Sequence, residues 1–337
     1  MLKIRLKERL KYAVLGSLLL MSATAGAQDI GFSQFYANPL YLNPAFAGSQ
    51  IAPRISLVYR AQWPGLVSAF TTISASYDQY FPDLHGGLGF IVMNDRQGDH
   101  GALRTTMVGA MYAFRFQVSR DIYVSAALQA SLVNNALNWD EYLRFPDQIS
   151  RELGFSIPTG AVKPDKTSKW SADFNAGVLV SGSQWYAGVA ASHLTQPNQA
   201  FYSEDLVPMK LTVHAGGLIN VSEERRRQSS LGLGSPIISP NIVYQFQGGF
   251  HYFNYGVYLD WMPFLVGVWF RNGVQNADAF IFQAGIQQDF FKVGYSYDVT
   301  VSKLANSTAG AHEITVGFLL PVPEHKKKVR AIRCPSF

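Results

Sequence analysis

From residue 52 onward the chain alternates apolar and polar positions in runs of about ten residues, each closed by turn residues. In 53–61, Ile55, Leu57 and Tyr59 fall on one face, and Arg54, Ser56, Val58 and Arg60 on the other. In 170–180, Trp170, Ala172, Phe174, Ala176 and Val178 oppose Ser171, Asp173, Asn175 and Gly177. The runs 291–299 and 312–320 repeat the scheme, with Val293, Tyr295, Tyr297 and Val299 opposing Asp298, and Ile314, Val316 and Phe318 opposing Glu313. Fourteen stretches carry the pattern, near 53–61, 68–79, 86–94, 104–117, 121–134, 170–181, 184–193, 209–220, 238–247, 251–260, 263–271, 278–287, 290–300 and 311–320. Twelve is the alternative count.

Alternation of this kind over so many strands predicts an all-β fold, either a large exported sandwich or a transmembrane β-barrel. Composition separates them. The 337 residues are 48% hydrophobic and 14% aromatic but only 15% charged, against about 25% charged in an ordinary soluble domain. After residue 27 no uninterrupted apolar run approaches the roughly 18 residues of a membrane helix. Link lengths also alternate, as outer-membrane barrels require. The tight links Ser119-Arg120 and Ser181-Gly182-Ser183 fall on one side, and the long ones 95–103, 135–169, 194–208 and 301–310 on the other. The exception is 221–237, VSEERRRQSSLGLGSPI, a long link on the expected periplasmic side. An antiparallel barrel of about fourteen strands over 51–321 is the expected fold, with both ends in the periplasm. Pro146, Pro158 and Pro164 make 135–169 an irregular outer lid and not a second domain.

The first 27 residues read as an address. Lys3, Arg5, Lys7, Arg9 and Lys11 form a basic start, Tyr12 to Met21 an apolar run, and Ala25-Gly26-Ala27 a small-residue cleavage site, which predicts an exported chain starting at Gln28. This changes the charge picture. The formal +5 loses a net +4 with the leader. Another +4 sits in the tail 322–337, where Lys326, Lys327, Lys328, Arg330 and Arg333 face Glu324. What remains is slightly acidic, so no broad basic face for nucleic acid exists. The tail is either a solvated run or a periplasmic docking patch for an acidic partner or lipid headgroups. Cys334 is the only cysteine, which excludes an internal disulfide and leaves a terminal thiol.

Residues 28–50 stand apart. Asn38-Pro39 and Asn43-Pro44 initiate turns. Around them Phe32, Phe35, Tyr36, Leu40, Tyr41, Leu42 and Phe46 make the segment too apolar to lie free in the periplasm. It is expected to pack into the barrel as a plug or rim. The stretch QDIGFSQFYANPLYLNPAFAG, from Gln28 to Gly48, resembles the start of mature PorP/SprF-family proteins, outer-membrane components of type IX secretion in Bacteroidetes. Tyr59-Arg60-Ala61-Gln62-Trp63, Ala172 to Val178 (ADFNAGV), His193 to Pro197 (HLTQP), Gly294 to Asp298 (GYSYD), Ala311 to Ile314 (AHEI) and the ending Arg333 to Phe337 extend the likeness along the chain. Ser336 stands where the family often has a basic residue.

The resemblance implies an outer-membrane protein that helps secrete or surface-anchor a partner, such as a gliding adhesin, through that partner's type IX C-terminal domain. Periplasmic secretion components and outer-membrane lipid are the other implied partners. Asn43-Pro44-Ala45 is also similar to the start of FadL-type transporters, so a channel for a hydrophobic solute is the rival function. The motif residues of interest are Asn38, Pro39, Asn43, Pro44, Ala45 and Gly48.

No catalytic or metal-binding constellation is legible, since the seven histidines lack ligand spacing. No cofactor is implied, and the expected role is not enzymatic. Arg54, Arg60, Asp173, Arg271, Asp298 and Glu313 should face the lumen, because charges toward lipid cost kcal/mol. They either line a pore or form an internal ion-pair network, and burial favours the network. Trp63, Trp170, Trp185 and Trp261 read as interfacial girdle.

Overall fold

A strand that crosses lipid must have both edges hydrogen-bonded, because the bilayer core offers its backbone no other partner. Here that requirement is met by closure. The structure, a computed structural model, describes residues 29–50, 52–66, 69–150, 154–202, 204–221, 235–274, 277–288, 290–301 and 308–321. The leader 1–27, most of the link 221–237, and the tail with Lys326, Lys327, Lys328, Arg330, Arg333 and Cys334 lie outside them.

The strands are β1 (Arg54–Gln62), β2 (Phe70–Phe81), β3 (Gly86–Gln97), β4 (Leu103–Gln117), β5 (Tyr123–Leu137), β6 (Ser168–Ser181) and β7 (Trp185–Ser192). After them come β8 (Lys210–Gly217), β9 (Ile237–Gln247), β10 (Phe250–Trp261), β11 (Phe264–Gly273), β12 (Ala277–Gln287), β13 (Phe291–Thr300) and β14 (Ala311–Leu319). Among the described residues each is antiparallel to its neighbours in sequence, and β1 closes on β14 with Arg54 opposite Leu319. The result is a closed 14-strand barrel, with Ile219–Asn220 as a short extension of β8 along β9.

The expected faces hold. In β1, Arg54, Ser56, Val58 and Arg60 are buried while Leu57 and Tyr59 are exposed. In β6, Asp173, Asn175 and Gly177 are buried while Trp170, Phe174 and Val178 are exposed. The wall is therefore inside-out: Phe90, Leu128, Leu132, Val257, Phe282 and Ile314 point outward, and many buried inward positions are Ser, Thr, Asn, Gln or charged residues, interspersed with apolar ones such as Ile91, Leu179 and Trp269. Such a surface is untenable in water and suits hydrocarbon.

Both ends of the barrel, Arg54 and Leu319, share one rim, which the rule that outer-membrane barrels keep their short turns on the periplasmic side assigns as the inner one. Links at that rim are mostly tight, such as 82–85, 182–184 and 262–263. At the outer rim, 138–167 and 193–209 are long. The expected long link 95–103 shrinks to 98–102, because β3 and β4 continue past the point where their outward residues turn polar. Trp63 and Trp170 lie at outer strand ends, and Trp185 and Trp261 at inner ones, as two belts would require. Among its described residues the outer segment 138–167 contains an α-helical turn, Trp139–Tyr142, a 3-10 turn, Pro146–Gln148, and a pairing of Ile149–Ser150 with Gly154–Phe155.

Candidate functional site

The lumen contains residues 29–50. Phe32, Phe35, Tyr36, Leu40, Leu42 and Phe46 are all buried, and Phe35 meets Trp269 with ring centroids 5.2 Å apart while Tyr36 meets Tyr186 at 5.6 Å. The two Asn-Pro pairs set the path. Asn38 precedes the turn Pro39–Leu42, and Asn43, extended at φ −159°, precedes the turn Pro44–Phe46. In each, proline occupies the first helical position, where its missing N–H costs nothing.

Asn43 also keys the segment into the wall. Its side-chain oxygen accepts from the Ala45 N–H at 2.9 Å, and its amide donates to the Val178 and Val189 carbonyls at 3.1 and 3.3 Å. It lies 3.0 Å from Nε2 of His214, which stacks on Phe46. This approach to strand backbone is open only because Gly177 of β6 has no side chain; a Cβ there would collide with Asn43. Asn38 donates more weakly to Ser74, at 3.3 Å.

Charged groups fall into three clusters at different heights. At the inner rim Arg54 makes a two-point contact with Asp78, 2.8 and 3.1 Å. Asp78 also accepts the Gly48 N–H at 2.8 Å, and Arg115 donates to the Gly48 carbonyl at 2.7 Å. Gly48 sits at φ +64° directly against Gly87, a place for glycine alone. Nearer the outer rim, Arg60 bridges Glu313 (3.0 Å) and Asp298 (3.1 Å), and Arg271 joins Asp298 (2.5 Å) to Asp278 (2.6 Å). The N-terminal segment completes this network. Glu313 accepts the Ser33 and Gln34 N–H groups at 2.7 and 2.9 Å, and Ser33 Oγ lies 2.6 Å from both Asp298 and Arg60.

The third cluster surrounds Asp29. Lys210 reaches its carboxylate at 2.6 Å and His193 at 2.9 Å, while Gln247 donates to it at 3.0 Å and accepts the Asp29 N–H at 3.0 Å. Asp173 stands 2.9 Å behind His193. Burial opposes a charge on His193, but its hydrogen bonds to Asp173 and Asp29 and the charges of both outweigh that and raise its pKa to about 9. Burial likewise opposes ionisation of Asp29, yet Lys210 and His193 hold its pKa below the usual carboxylate range.

The sign of the pH effect follows. A histidine raised above its unfolded value of ~6.5 stabilises fully below that pH and loses the contribution as pH rises through its folded pKa. Heat stability should therefore fall between about pH 7 and about pH 10, and His193→Asn should flatten that limb relative to the parent. A parent profile already flat to alkali would contradict the assignment. The other titratable groups packed here are Lys210 and Tyr41, whose ring lies 4.7 Å from the ammonium.

The six expected lumen charges thus face inward but do not form one network. Arg54 belongs to the inner rim, Arg60, Arg271, Asp298 and Glu313 to the middle network, and Asp173 to the outer cluster. Sequence reasoning missed Asp29, Asp78, His193, Lys210 and Asp278. Alternation in β2 (Thr72, Ser74, Ser76, Asp78) and β8 (Lys210, Thr212, His214) carried the signal for Asp78 and Lys210. Nothing local marked Asp29.

A closed barrel with an apolar wall and an ion-paired interior defines a membrane β-barrel of the bacterial outer membrane. The chain belongs to the PorP/SprF family: the family described as type IX secretion system membrane protein PorP/SprF matches residues 24–318. Among curated proteins none matches. Similar solved structures include Omp33 of Acinetobacter baumannii, at 8% identity and TM-score 0.44, covering 81% of this chain and 100% of that one. A TodX deltaS2S3 mutant, a monoaromatic hydrocarbon channel, aligns at 10% identity and TM-score 0.46, covering 82% and 92%. BamA of Haemophilus ducreyi lacking POTRA domains 1–3 aligns at 12% and 0.40, covering 80% and 70%.

Proposed function

We propose that this barrel is a non-catalytic component of type IX secretion that binds a secreted partner protein at the cell surface, through the partner's C-terminal domain, and helps export or anchor it. The observation that carries this reading is the filled lumen. Residues 32–49 are almost entirely buried, their apolar side chains against inward-facing wall residues such as Ile91, Leu179, Tyr186 and Trp269, and they hydrogen-bond to β1, β2, β4, β6, β7, β13 and β14. An interior occupied by the chain's own segment weighs against the FadL-like alternative. Interaction then belongs to the rims.

The outer rim has the more built surface. Trp139 packs on Phe145 at 5.0 Å and on Tyr202 at 6.4 Å, and Tyr202 donates to the Val162 carbonyl at 2.8 Å, joining the two long outer links. Asp147 is held by the Gly160 N–H and the Thr159 hydroxyl. Ile149, Ile157, Val162, Tyr202 and Leu206 remain exposed on this platform. The basic tail and the link 221–237 are the segments we assign to periplasmic secretion components.

A gentle detergent pull-down of tagged protein from outer membranes, read by mass spectrometry, tests the proposal. The expected result is one surface protein bearing a type IX C-terminal domain, lost when 143–163 is replaced by a short turn. A lone barrel carrying lipid or hydrophobic solute would overturn it in favour of the channel.

A further inference from the structure

We propose that the N-terminal segment threads the barrel once from the inner to the outer rim, and that Lys210, His193 and Gln247 form a carboxylate-binding site which Asp29 fills, presenting the processed amino terminus on the cell-surface side. This goes beyond the partner-binding function and does not depend on it.

Register gives the direction. Ser49 and Gly48 are held by Arg54, the first residue of β1, by Asp78 near the inner end of β2, and by Arg115 near the inner end of β4. Further along, Asn43 sits against Val178 and Val189 in the body of β6 and β7. Ser33 and Gln34 meet Arg60, Asp298 and Glu313, each two residues from the outer end of its strand. Asp29 meets Lys210, the first residue of β8, Gln247, the last of β9, and His193, the residue after β7. All three lie at the outer rim. The segment thus starts at one rim with 48–49 and ends at the other with 29, although the Tyr41 side chain already reaches Lys210 from within it.

The site at the end of this path has the chemistry of a carboxylate receptor. An ammonium, an imidazole nitrogen and an amide N–H converge on the two oxygens of Asp29, and the Gln247 carbonyl takes the adjacent backbone N–H. Tyr41 backs the arrangement by donating to the Ile30 carbonyl at 2.8 Å. Because Asp29 is the second residue after the expected cleavage point, the end of the chain is what is latched.

Cysteine accessibility tests this in intact cells, in a Cys334→Ser background. Gln28→Cys should react with a membrane-impermeant maleimide as readily as Val162→Cys in the outer link. Arg120→Cys, in an inner turn, should react only after permeabilisation. Labelling of Gln28→Cys only with the Arg120→Cys control would overturn the threading. If that variant fails to reach the heat-modifiable folded form, a protease site inserted between Gln28 and Asp29 serves instead: cutting by protease added outside supports the proposal, and resistance until permeabilisation overturns it. For the latch, Asp29→Asn should raise the labelling rate of Ile30→Cys by about tenfold, equivalent to ~1.4 kcal/mol. An unchanged rate would overturn the carboxylate site.

Discussion

Replacing Arg60 with alanine should cost the barrel about 3–5 kcal/mol, the loss typical of removing one partner from a buried ion pair. Arg60 is 2% exposed and Glu313 is fully buried. Arg60 holds Glu313 at 3.0 Å, Asp298 at 3.1 Å and Ser33 Oγ at 2.6 Å. Without it, Glu313 keeps the N–H groups of Ser33 and Gln34 but no countercharge, while Asp298 retains Arg271. The penalty comes from the stranded charge and not from the lost attraction, so Arg60→Ala with Glu313→Gln should be less destabilised than Arg60→Ala alone. Heat-modifiable gel mobility or urea unfolding measures the series. A lipid-facing Leu57→Ala control gives the baseline, and an Arg60→Ala effect no larger than that control would show that the network does not hold the barrel.

Removing residues 30–48 should have the larger functional effect: a conducting pore and a lowered heat-modification midpoint. Wall pairing is complete without the segment, since each of the fourteen strands bonds to two others, so the truncated chain should still insert. Its interior is another matter. A barrel of roughly eight strands can fill itself with side chains, and one of 16–18 leaves an aqueous channel; fourteen lies between, and here Phe32, Phe35, Tyr36, Leu40, Leu42 and Phe46 occupy the space. Deletion also strips Glu313 of two backbone donors and Lys210 of Asp29. Planar-bilayer conductance and uptake of a normally excluded antibiotic report the opening. An unchanged conductance together with unchanged heat stability would mean that the segment does not close the barrel.

The substitution and the deletion probe features that were unequally visible beforehand. That Arg60 and Glu313 face inward is readable from β1 and β14 alone, because each alternates with an apolar outward set, Leu57 and Tyr59 in β1 and Ile314, Val316 and Phe318 in β14. That they face each other follows from the pairing of β1 with β14, where Arg60 stands opposite Glu313. The apolar character of 28–50 pointed to a packed segment, but its seat depends on Gly177 and Gly87, whose importance only the approach of Asn43 and Gly48 reveals. Strand ends were drawn short in β3 because NDRQGD resembles a loop. In the structure Asp95 turns inward to accept from Thr72 at 2.6 Å, and the strand runs on above the lipid.

By itself the sequence determined the fourteen strands and the face on which each side chain lies, because a period of two is a local property of an extended chain. Its ordered motifs determined the family. Only the tertiary structure decided which inward charges meet, since Asp29 finds Lys210, His193 and Gln247 across spans of 164 to 218 residues for the latter two. The direction of the N-terminal segment was decided there as well. No spacing encodes such contacts: they arise when barrel closure brings distant strands to one height and burial forces each charge to find a partner.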